Sequence, residues 1–88
     1  MKYTAVHIPG FESAADARNF VKDAVRFLPA SGIEVWLVDP PGLYISGESL
    51  SAYDIDALKR ERSDISPIPG GEPPPDIVKI ELLYGGLY

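Results

Sequence analysis

The sequence predicts an α+β fold: a four-stranded antiparallel sheet with two helices on one face, in the chain order β-α-β-β-α-β. Three observations carry that prediction. Two stretches repeat apolar residues every three or four positions. Four shorter stretches alternate apolar with other residues, and proline- or glycine-bearing breaks separate them. At 88 residues the chain can build one modest core, so it reads as a single domain over 1–88.

Lys2 to Ile8 alternates, with Thr4, Val6 and Ile8 on one face and Tyr3, Ala5 and His7 on the other; Pro9-Gly10 ends this first strand. Ser13 to Leu28 reads as a helix. Ala14, Ala17, Phe20, Val21, Ala24, Phe27 and Leu28 form its apolar stripe, and Ser13 is its N-cap with Asp16 three residues on. Ile33 to Val38 is the second strand and Leu43 to Gly47 the third. Pro41-Gly42 is expected at the centre of a type II turn between them, because proline presets φ and glycine supplies a positive one. Ser51 to Arg62 reads as the second helix, with a stripe of Ala52, Ile55 and Leu58. Its acids lie near the start and its bases near the end, which complements the helix dipole. Residues 64–75 hold five prolines and two glycines and read as a loop without helix or strand. Ile77 to Tyr84 then alternates as the last strand, and 85–88 forms a tail.

With right-handed crossovers this order is the split-βαβ, ferredoxin-like arrangement, spatial strand order 4-1-3-2. Val6, Ile8, Ile33, Val35, Leu37, Leu43, Ile45, Val78, Ile80 and Leu82 are expected beneath the helices. The opposite face then carries Tyr3, Ala5, His7, Glu34, Trp36, Val38, Tyr44, Ser46, Ile77, Lys79, Glu81 and Leu83, and is expected to be open. Such an aromatic patch marks an interaction site, with Trp and Tyr as its anchors.

Composition narrows the function classes. Without cysteine there is no disulfide, thiolate nucleophile or thiolate metal site, and His7 is the only histidine, so no metal or other cofactor is expected. A net charge of −5 disfavours direct nucleic-acid binding and suits a protein partner. The open aromatic sheet resembles that of RNA-recognition motifs, but the third strand Gly42-Leu43-Tyr44-Ile45-Ser46-Gly47-Glu48 has none of the Lys or Arg that family places there. No partner pattern around His7 makes a dyad or triad, so no catalytic residue is assigned and His7 is expected at an interface. Gly70-Gly71 lacks the Lys-Ser/Thr of a phosphate loop. No signal peptide or membrane-spanning run is apparent, so the expected location is the cytoplasm.

The ending, Leu82-Leu83-Tyr84-Gly85-Gly86-Leu87-Tyr88, resembles the tail of ubiquitin-like proteins, which end in a conjugatable Gly-Gly, sometimes after removal of further residues. Leu50-Ser51-Ala52-Tyr53-Asp54-Ile55 adds to the likeness, which implies a conjugated modifier. That family begins with a hairpin, where this chain passes from its first strand into a helix. Read from the residues instead, strand pairing stops at Leu83 or Tyr84. The glycines then form a hinge, and Leu87 and Tyr88 dock on the sheet or on a neighbour.

The reading that joins these points is a small acidic protein-binding module of inhibitor, immunity or subunit type. In size and charge it is similar to toxin-immunity proteins and to phage-encoded inhibitors of host defence, anti-CRISPR proteins among them. Its partner-binding residues are Tyr3, His7, Trp36, Tyr44, Leu87 and Tyr88, facing a protein partner or a second copy. The alternative is a dimeric ferredoxin-like barrel, in which two open faces enclose a substrate or small ligand.

Overall fold

The computed structural model describes residues 5–24, 26, 28, 32–48, 50–67 and 75–85. It is an α+β fold with strands β1 (Ala5–Ile8), β2 (Glu34–Asp39), β3 (Gly42–Ser46), β4 (Ser66–Pro67) and β5 (Val78–Gly85), and helices α1 (Ala14–Ala24) and α2 (Ala52–Glu61). The sheet is antiparallel throughout, in the order β4-β1-β3-β2-β5.

The order differs from expectation at one strand. The last strand was expected beside β1; β5 instead pairs with β2 at the opposite edge. The place beside β1 goes to the two-residue β4, inside a stretch expected to hold no strand. The eight-residue β5 meets six residues of β2. At the β1 edge, Pro67 has no N–H to extend a ladder.

Both helices begin as their sequences require. The Asp16 N–H donates to Ser13 Oγ at 3.2 Å. At α2 the capping box is complete: the Asp54 N–H donates to Ser51 Oγ, and the Ser51 N–H donates to Asp54 Oδ2 at 3.1 Å. This reciprocal bond draws Asp54 into the surface, so it is buried where the expected stripe residue Ala52 is exposed. Helix α1 ends at Ala24, short of the expected Leu28. The backbone N–H and Nε of Arg26 both donate to the Asp23 carbonyl, which closes the turn. Leu28 still reaches the core.

The main core lies between the helices and one sheet face. Val6, Ile8, Ile33, Val35, Leu37, Leu43 and Ile45 meet Ala17, Val21 and Ala24 of α1 and Ile55 and Leu58 of α2, as the periodicity requires. The β2–β3 connection is not the expected type II turn. The Asp39–Pro40 peptide is cis, and Gly42 is the first residue of β3, without a positive φ. Among the described residues no helix is long and apolar enough to cross a membrane.

Candidate interaction surface

The face away from the helices carries a second, smaller cluster. Ala5, Val38 and Tyr44 are buried in it, with Trp36 and Ile77 packed alongside. The expected open face is therefore partly closed. Tyr44 is only 1% exposed, so its ring serves the fold here and is not presented as an anchor. Trp36 is half-buried; its Nε1 donates to Glu34 Oε1 at 2.8 Å. The Lys79 ammonium lies 5.1 Å from the Trp36 ring centre and 5.3 Å from that of Tyr44, a cation–π contact with both rings. Antiparallel pairing sets His7 opposite Tyr44. Partial burial holds the His7 imidazole below its usual value of 6.5, and the Asp76 carboxylate opposes that shift. Tyr3, Leu87 and Tyr88 lie outside the described residues.

The face assignment of β5 is where the expectation fails. Val78, Ile80 and Leu82 were expected under the helices; they are 63%, 57% and 38% exposed. The β2–β5 pairing carries two register shifts, one between Val35 and Trp36, the other between Leu37 and Val38. Each leaves an extra residue on β5, Leu83 and then Ile80, and inverts the alternation beyond it, so Leu82 and Glu81 exchange faces while Lys79 and Val78, past both shifts, regain the expected ones. Lys79 thus lies with Trp36 on the outer face. Glu81, expected there too, turns to the helix side and meets Arg18 of α1 at 2.8 Å. Leu83 and Tyr84 pack against the main core. Nothing in the sequence marks a bulge with glycine. The one local sign is the uninterrupted run Leu82-Leu83-Tyr84, which strict alternation does not produce.

Gly85 also departs from the expected hinge. It belongs to β5, pairs with Glu34 and has φ 85°, and a Cβ there would run into the Ile33 carbonyl oxygen. Only glycine fits that corner without displacing the backbone.

Two grooves flank α1. One, of about 460 Å³, has Phe11 and Phe20 on its floor with ring centres 5.7 Å apart, and is rimmed by Glu12, Asp16 and Asp23. Arg62 completes it from the end of α2. Its guanidinium lies 4.1 Å from the Phe11 ring centre and donates to the Pro9 carbonyl and to Asp64, whose carboxyl is held below its ordinary range chiefly by that hydrogen bond. The other groove, of about 300 Å³, lies between α1 and β5 and is lined by Arg18, Val21, Lys22, Leu83 and Tyr84. Among the described residues no group of three or more His, Asp or Glu side chains could hold a metal ion.

No family model, curated protein or solved structure matches this chain.

Proposed function

We propose that this chain is a small acidic protein-interaction module, of the inhibitor, immunity or subunit type, that docks on a partner protein through β5 and the adjoining Trp36. The orientation of β5 carries the reading. Its two charged side chains are engaged with their own molecule, Lys79 over Trp36 and Tyr44, Glu81 with Arg18. Its aliphatic side chains Val78, Ile80 and Leu82 are exposed on an edge strand of the described sheet. A strand that only had to meet water would gain from the opposite arrangement, since charges on an edge also block unwanted pairing.

Covering what remains exposed of these three side chains is worth roughly 2–5 kcal/mol. That is enough to anchor an interface whose other contacts are near neutral. The half-buried Trp36 beside Leu82 adds an aromatic anchor.

The test is affinity capture from the source cell with the wild-type chain and an Ile80→Ser, Leu82→Ser variant, alongside light scattering over a concentration series. The double variant is expected to lose the captured protein, or the self-association, while keeping its melting temperature within a few degrees. Full retention of both by the variant contradicts the proposal.

A further inference from the structure

We infer that the partner segment received beside β5 is acidic and carries an apolar anchor residue, which seats in the groove between α1 and β5. The inference rests on the reading of β5 as the docking strand and names the chemistry of what docks there. The groove floor is apolar: Val21 is buried, and Leu83 and Tyr84 are half-buried against the main core. Its rim is cationic. Arg18 and Lys22 lie four residues apart, on one flank of α1. Lys22 has no hydrogen bond or ion pair among the described residues. The Arg18–Glu81 pair is about half exposed on both sides, so water and an incoming carboxylate compete for it on equal terms.

One acid, Glu81, reaches that rim through its pair with Arg18. Asp16 and Asp23 lie on the other flank of α1 and, with Glu12, line the Phe11–Phe20 groove. In a chain of net charge −5, the charged side chains that line this groove are both cations, Arg18 and Lys22. Charge complementarity selects an Asp- or Glu-bearing segment, with an aliphatic or aromatic side chain for the apolar floor. It also argues against a second copy of this chain. A two-fold contact centred on this groove would set one cationic rim against another.

The test uses the full chain, isotope-labelled, and two sets of short synthetic peptides as probes. In one set a Leu or Phe anchor is flanked by Asp and Glu, in the other by Lys and Arg. The acid-flanked peptides are expected to shift the amide resonances of Arg18, Lys22, Leu83 and Tyr84 saturably, to weaken with added salt, and to bind roughly tenfold tighter than the base-flanked set. Lys22→Glu, an exposed substitution, should erase or reverse that preference. Equal binding of the two sets, no saturable shift at these residues, or an unchanged preference in Lys22→Glu overturns the inference. So does a concentration-dependent mass that Lys22→Glu abolishes, since the occupant is then a second copy. The underlying reading fails separately: it falls if Ile80→Ser, Leu82→Ser leaves partner capture intact. If that variant loses the partner and the peptides show no charge preference, β5 stands and only the acidic occupant falls.

Discussion

A methyl group added at position 85 tests one backbone corner. Gly85 combines a φ of 85° with close approach to the Ile33 carbonyl, so Gly85→Ala meets both strain and a backbone clash. The expected loss is roughly 2 kcal/mol or more, read by chemical denaturation as a lower midpoint with an unchanged slope. A change under about 0.5 kcal/mol would mean that β5 does not end as described. His7 makes a second residue-scale prediction. Its folded pKa lies below 6.5 because burial disfavours the imidazolium. The unfolded chain thus binds the proton more readily, so the His7 contribution is present above the unfolded value and is lost as pH falls through the folded one. Wild type should lose more stability on acidification from pH 6.5 than His7→Gln, with equal losses contradicting the assignment. Single residues were legible in sequence where a short-range rule governs them: Ser51, Asp54 and Ser13 sit where capping requires. Tyr44 was legible only as to its face. Its near-complete burial comes from neighbours on other strands, Val38 and Ala5 among them, that no local pattern specifies.

At the scale of elements, α2 rests on its capping box. Ser51→Ala is expected to cost about 1 kcal/mol of stability. Asp54→Ala should cost a similar amount, and the double variant less than their sum, since each bond of the box supports the other. Additive losses in the denaturation midpoints would show that the two bonds act independently. The strand β5 was legible as a strand but not in its facing. Period-2 reasoning has no means of locating a bulge, and two of them left Ile80 unpaired, set Leu82 on the face of Trp36 and turned Glu81 toward α1. Because Ile80 is an exposed bulge residue, Ile80→Ser should alter stability by less than about 0.5 kcal/mol, whereas a core position would lose several. A loss of 2 kcal/mol or more in the isolated chain would return Ile80 to the core.

For the whole molecule, helix and strand periodicity prescribed the main core and the side of the sheet that the helices cover. The spatial order was legible up to the last strand. A free edge existed on each side of the β1-β3-β2 unit, and local patterns do not weigh the choice between them. That choice also decides the surface, because it brings β5 beside Trp36 on one face and α1 on the other, with Lys79 and Glu81 each finding a partner in its own molecule. We propose this surface, more than the buried Tyr44 or the Phe11–Phe20 groove, as the place where a protein partner docks. Amide hydrogen exchange of the chain, free and saturated with its captured partner, tests it most directly. Added protection is expected on residues 78–83 and around Trp36, with the amides lining the Phe11–Phe20 groove unchanged. Protection centred on that groove, with β5 exchanging as it does in the free chain, would contradict it.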